Sequence, residues 1–193
     1  LSNKPKGKVI VVVAPSGAGK TTIARRLLDE FPEIKFSVSA TTRPAREGEV
    51  HGKDYFFLTE EEFNQKIEDG AFLEWEEYSG NKYGTLQSEV DKLVDSGYFP
   101  LLDIEVKGAL NVQRFYNSDA ISIFIQPPTM EELKKRLENR GSEDKYSIQK
   151  RLKRAEMEMN YADNFDFSVV NDDLDTAYAE VKAIIEPFIT DKS

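Results

Sequence analysis

Along this chain the apolar positions keep two rhythms. Residues 8–14, "KVIVVVA", are a β-branched run, which predicts a strand buried on both faces in the middle of a parallel sheet. Residues 21–31, "TTIARRLLDEF", switch to a helical period, with Ile23, Leu27 and Leu28 on one stripe and Pro32 as the stop. "FPLLDIE" (99–105), "ISIFI" (121–125) and "FSVVND" (167–172) read as further buried strands. Helices are expected in 87–97, closed by Gly97, and after Pro127-Pro128, where Thr129 and Glu132 offer a cap. A last amphipathic helix follows from 174, burying Ala177, Val181, Ile184 and Ile185. Strands alternating with helices imply an α/β fold, a central parallel sheet with helices on both faces.

Two segments break this alternation. Residues 37–58 are rich in Thr, Arg, Gly and Pro and end in a predicted strand at 55–58. Thr59 and Glu62 then make a capping box for a short helix that Gly70 ends, and "FLEWEEY" (72–78) alternates as a half-exposed strand. Residues 140–159 are a charged helical stretch with a hinge expected at Gly141.

Composition narrows the class. With 193 residues, 39% hydrophobic and 32% charged, the chain suits one globular domain with a full core. A net charge of −9 argues against a broad nucleic-acid surface, although a local cationic cleft for a small anion remains open. There is no apolar run of membrane-spanning length and no cysteine, so no membrane partner and a cytoplasmic home are expected. The sequence opens on Leu1, so an initiating methionine or leader upstream is expected.

The first candidate chemistry is the loop Ala14-Pro15-Ser16-Gly17-Ala18-Gly19-Lys20-Thr21-Thr22, which leaves the first strand and enters the first helix. In the pattern G-x-x-x-x-G-K-[ST], backbone N–H groups curl round phosphate oxygens, the lysine reaches the outer phosphates and the next hydroxyl ligates Mg²⁺. Strand–loop–helix context supports the motif here, so a nucleoside triphosphate with Mg²⁺ is the expected ligand, in a switch, a motor or a kinase alike. Ala14 stands where glycine is usual. At a strand end its φ is expected to be negative, which an alanine adopts without strain.

The second is "SVSATTRPAREGEVHGKDYFF" (37–57), where two arginines three apart and a tyrosine suit a phosphate monoester. Read alone, it is equally a solvated charged loop. Together with "EWEEYSGNKYGT" (74–85) and "LLDIEVKGA" (101–109), it resembles the guanylate kinase family over 8–190. The family hallmark runs close to "SVSxTTRxPRxGExxGxDYxF". In Arg43-Pro44-Ala45-Arg46 the proline has moved one place while the arginines keep their spacing.

The resemblance implies a three-layer P-loop kinase with a central parallel sheet, an inserted GMP-binding subdomain and a lid. One domain spans 1–193, with core in 1–36, 91–139 and 157–193, the GMP-binding part in 37–90 and the lid in 140–156. It implies phosphoryl transfer from ATP to GMP, giving ADP and GDP, by a monomer or homodimer. Arg43, Arg46, Tyr55 and Tyr83 would hold the GMP phosphate, with Ser39 beside them. Glu74 would read the guanine edge and Thr85 its O6. Asp103 would order the Mg²⁺ water shell together with Thr21, and Glu105 replaces the commoner aspartate at the guanine amino group. Lid arginines Arg140 and Arg151 would close on the transferring group beside Lys20 and Arg43. Arg136 and Asn171 match positions near adenine, although Asn171 is equally a turn residue after a strand.

Other residues invite plainer readings. His51 is expected in an exposed loop, Trp75 with Phe56 and Phe57 in packing, Met157 and Met159 in the core, and Arg154 on the surface. Two rival functions share the pattern. A non-catalytic interaction module of this fold would have lost the phosphate loop, yet Gly19, Lys20 and Thr21 stand. A kinase for another phosphorylated acceptor would not need Glu74 and Thr85.

Overall fold

The structure, a computed structural model, describes residues 7–139 and 145–190. The strands are β1 (Val9–Val13), β2 (Ile34–Phe36), β3 (Ala40–Thr41), β4 (Phe56–Phe57), β5 (Phe72–Tyr78), β6 (Asn81–Leu86), β7 (Phe99–Asp103), β8 (Ala120–Gln126) and β9 (Phe167–Val170). The helices are α1 (Lys20–Glu30), α2 (Glu60–Glu68), α3 (Gln87–Asp95), α4 (Val106–Tyr116), α5 (Met130–Asn139), α6 (Lys145–Met159) and α7 (Leu174–Thr190).

The expected central strand is β1, fully buried along its length. It is the middle of a five-stranded sheet in the order β2-β7-β1-β8-β9, in which every pairing is parallel. The two faces of β1 feed two cores, as strand alternation requires. Ile10 and Val12 pack with Ile23 and Leu27 of α1 and with Val181 and Ile185 of α7. Val9, Val11 and Val13 pack on the opposite side with Val90 of α3 and with Ala109 and Val112 of α4. The result is three layers, helix, sheet, helix. Leu27 is fully buried, so truncating it to alanine costs about 2–5 kcal/mol.

A second, four-stranded sheet runs β4-β3-β6-β5. Its backbone turns on Ser79 (φ 53°) and Gly80 (φ 77°), two consecutive positive-φ residues that join β5 to β6 antiparallel. Phe63 of α2 seals this sheet, stacked on Phe72 at 4.4 Å between ring centroids. The capping box of Thr59 and Glu62 is present in full. At Thr129 only half of one forms: its hydroxyl accepts from the Glu132 N–H, while the Glu132 carboxylate pairs with Arg136.

Several elements lie where the apolar pattern predicts none, among them the short strands β2 and β3. β6 is "NKYGTL", too polar to read as a strand, and α4 follows β7 after a single residue pair with Gly108 in its first turns. Two packing expectations are corrected. Trp75 lies 45% exposed, touching Phe63 edge-on, because it sits on the outward face of β5. Met157 is 54% exposed on α6, whereas Met159 packs partly against the core. His51 is exposed as expected, its Nδ1 accepting from the Phe57 N–H. The hinge expected at Gly141 lies outside the described residues.

Candidate active site

Because the sheet is parallel, all five carboxyl ends point one way, and the connections leaving them gather at one edge. The segment after β1 curls from Ala14 to Gly19 and runs directly into α1. Gly19, the N-cap residue, holds φ 96°, and no side chain caps the helix. The first N–H groups of α1 therefore face outward with the positive end of the helix behind them. A Cβ on Gly19 would lie 2.2 Å from Asn171 Nδ2, so glycine is required for space as well as for conformation. The described non-glycine residues with positive φ are Ser79 and Asn117, and Ala14 is not one of them. Its expected backbone conformation is found.

The loop is braced from behind. Asn171, 4% exposed at the end of β9, donates from Nδ2 to the Ala18 carbonyl at 2.7 Å. Arg136 of α5 donates to the carbonyl oxygens of Asn171 at 2.9 Å and Asp172 at 3.2 Å. In front of the loop, Lys20 Nζ lies 2.5 Å from Asp103 Oδ1 at the end of β7.

A cleft of about 750 Å³ opens between this loop and the second sheet. Ala14 to Gly17, Gly19 to Thr22, Ser39, Tyr55, Glu74, Tyr83, Asp103, Glu105 and Arg151 all line it. Ala18, Arg43, Arg46, Thr85, Arg136 and Asn171 do not line it, and Arg140 lies outside the described residues.

On the far wall Glu74 and Thr85 are cross-strand partners on β5 and β6, and the Thr85 hydroxyl donates to Glu74 Oε1 at 2.6 Å. Thr85 is buried. Burial raises the Glu74 pKa above its ordinary value, the Thr85 hydroxyl opposes the shift, and the Glu76 and Glu105 carboxylates add to it. The Glu74 side chain lies across α4 at Gly108, where a Cβ would come within 2.8 Å of both Cγ and Oε2. That close approach explains the glycine inside a helix.

The arginine segment folds on itself. Glu49 receives both arms of Arg43, at 2.8 and 3.0 Å, and also the Arg46 N–H at 2.7 Å. The Arg43 guanidinium lies 5.4 Å above the Tyr55 ring, and Tyr55 meets Tyr83 edge-on at 6.2 Å. Arg43 and both tyrosines thus share one corner.

The third wall is α6. Ser147, Lys150, Arg151, Arg154 and Glu158 line the cleft from one helical face. Arg151 Nη1 reaches Ser16 Oγ of the loop at 3.2 Å. Arg154, expected on the surface, is partly solvent-open but paired: its Nη2 meets Glu105 and its Nε donates to Glu158 at 2.8 Å. Glu76 and Tyr78 also line the cleft, and the sequence reading missed them. The alternation of β5 could have found them, since 74, 76 and 78 share a face.

A phosphate cradle at the carboxyl edge of a parallel sheet, across a cleft from a sheet bearing a buried acceptor, defines the fold class as a P-loop kinase. Comparison narrows this: a sequence model described as Guanylate kinase matches residues 6–187, and the chain belongs to that family. A guanylate kinase of Salinibacter ruber is 52% identical over 96% of this chain and 99% of its own length. One from Chlorobium chlorochromatii is 51% identical over 98% and 100%. A crystal structure of guanylate kinase from Anaplasma phagocytophilum superposes with a TM-score of 0.72 at 34% identity, covering 95% of this chain and 87% of that one.

Proposed function

We propose that the cleft is a two-substrate site at which this chain phosphorylates GMP to GDP with ATP. The observation that carries the reading is Glu74, held by the buried Thr85 hydroxyl, facing the Lys20 loop across one cleft. A carboxylate accepts from guanine N1–H and the 2-amino group together, and adenine has neither donor on that edge. The Thr85 hydroxyl can rotate from Glu74 to donate to O6. Polar groups buried in this way reject the wrong base because they would be left unpaired.

The ATP phosphates lie on the Ala14–Thr22 loop, held by its N–H groups and by Lys20. The GMP phosphate takes the corner of Arg43, Tyr55 and Tyr83, with Arg46 and Ser39 beside it, and Glu49 yields the Arg43 fork to it. The acceptor oxygen is already ionised, so no general base is needed; the protein supplies alignment and charge. Lys20, Arg43 and Arg151 stabilise the transferring group, with Arg140 joining them from the lid. Arg136 and Asn171 serve the adenine end by shaping the loop's far side.

The chain offers two oxygen donors to a hard cation, the Thr21 hydroxyl and the Asp103 carboxylate, and both line the cleft. They fit Mg²⁺ that takes its remaining ligands from phosphate and water. An ion held there would supply positive charge against the phosphates.

The chain divides into a core (1–36, 91–139, 157–193), a GMP-binding part (37–90) and a lid (140–156). The latter two close on the substrates to exclude water, which would otherwise consume ATP. The enzyme acts in the cytoplasm as a monomer or homodimer. No helix among the described residues is long and apolar enough to cross a membrane.

The test is ADP formation from ATP and Mg²⁺ with GMP, AMP, CMP, UMP or no acceptor. Turnover confined to GMP is expected; equal turnover with AMP would defeat the base-reading role of Glu74.

A further inference from the structure

Helix α6 carries two arginines one turn apart that reach opposite sides of the cleft. Arg151 contacts Ser16 of the phosphate loop, and Arg154 contacts Glu105, the residue that precedes α4. Three residues of helix separate them by about 4.5 Å along the axis. Glu158, one turn beyond Arg154 and buried, accepts from its Nε at 2.8 Å and aims the guanidinium toward Glu105. We propose that Arg154 is a positioning residue that fastens α6 to the acceptor side of the cleft, so that occupancy of one nucleotide site sets the placement of Arg151 over the other. The proposal rests on the two-substrate reading given above.

Three features support it. The contact requires a fork: one guanidinium bridges carboxylates on two elements 53 residues apart in sequence, Glu105 and Glu158, which a lysine point charge does poorly. The contact offsets a crowd of like charges: Glu74, Glu76, Glu105 and Glu158 all line the cleft, and Arg154 pairs with two of them. Finally, α6 is a continuous helix from Lys145 to Met159, so displacing Arg154 moves Arg151 with it.

The experiment measures GMP affinity by calorimetry with and without a non-hydrolysable ATP analogue plus Mg²⁺, in wild type and in Arg154→Gln. In wild type the analogue is expected to tighten GMP binding. In Arg154→Gln that ratio should fall toward one, and kcat should drop roughly tenfold or more, the scale of one lost charge-assisted contact. A Glu158→Gln change added to Arg154→Gln should lower the ratio little further, because the two act as one link. Arg154→Lys covers a glutamine variant that does not fold; it should keep only part of the ratio. A wild-type ratio of one, or a ratio unchanged in a folded Arg154 variant, overturns the proposal. Failure of wild type to bind GMP at all overturns the two-substrate reading itself, and this inference with it.

Discussion

Thr85 Oγ1 donates to Glu74 Oε1 across 2.6 Å, joining the strands β5 and β6 at the wall of the cleft. The hydroxyl proton steadies the carboxylate, and in the proposed reading it is the donor offered to the base. Thr85→Val keeps the shape and removes that proton. The variant should raise KM for GMP roughly 10- to 100-fold, in line with about 1–3 kcal/mol for a polar group left unpaired, and change KM for ATP little. Glu74→Ala should show the same asymmetry more strongly. Steady-state kinetics with each substrate varied would decide, and equal effects on both would refute the assignment.

The raised pKa of Glu74 has a sign that can be checked. GMP binding needs the carboxylate, so KM for GMP should climb as pH falls through a range where an ordinary glutamate stays ionised. Stability moves the other way. A folded-state pKa above the unfolded value means that ionised Glu74 destabilises the fold, and the penalty is relieved as pH falls through that window. The difference between wild type and Glu74→Gln, in KM and in melting temperature over pH, isolates both effects. A wild-type KM that tracks the glutamine variant across pH would count against them.

Behind the phosphate loop, the Asn171 amide satisfies the buried Ala18 carbonyl. Asn171→Ala should lower stability by about 1–3 kcal/mol in chemical denaturation and raise KM for ATP more than that for GMP. Gly19→Ala should be more severe, since it meets a positive φ and a 2.2 Å clash at once. Loss of ATP binding with GMP binding retained is the expected result in calorimetry.

Lys20 pairs with Asp103 at the mouth of the loop, and both side chains are partly open to solvent. Lys20→Ala should therefore leave melting nearly unchanged while kcat falls by roughly two to three orders of magnitude, the scale of losing one preorganised charge in a transition state. Activity near wild type would remove the loop from the mechanism.

How much of this was legible beforehand follows from the reach of each interaction. The loop from Ala14 to Thr22 is contiguous, and its shape depends on φ preferences and on the helix beginning at its end, so the motif sufficed for Gly17, Gly19 and Lys20 and for the harmless Ala14. The Thr59 capping box is equally local. The arginine segment was legible through its resemblance to a family, but its Glu49 clasp was not, since nothing in the spacing says which carboxylate an arginine fork will choose.

Arg154 marks the limit. One turn from Arg151 on a charged helix, it reads as solvated; only packing α6 across the cleft brings it to Glu105, 49 residues away. Trp75 and Met157 failed in the opposite direction, their apolar character promising burial that their faces of β5 and α6 do not provide. The sequence by itself determined the alternation of strands and helices, the phosphate loop and the family, because these rest on backbone preferences and side-chain periods within a few residues. Tertiary structure alone decided which carboxylates meet in the cleft, what braces the loop and which arginines leave the solvent, because those depend on long-range packing that desolvates a charge only where a partner from another element waits.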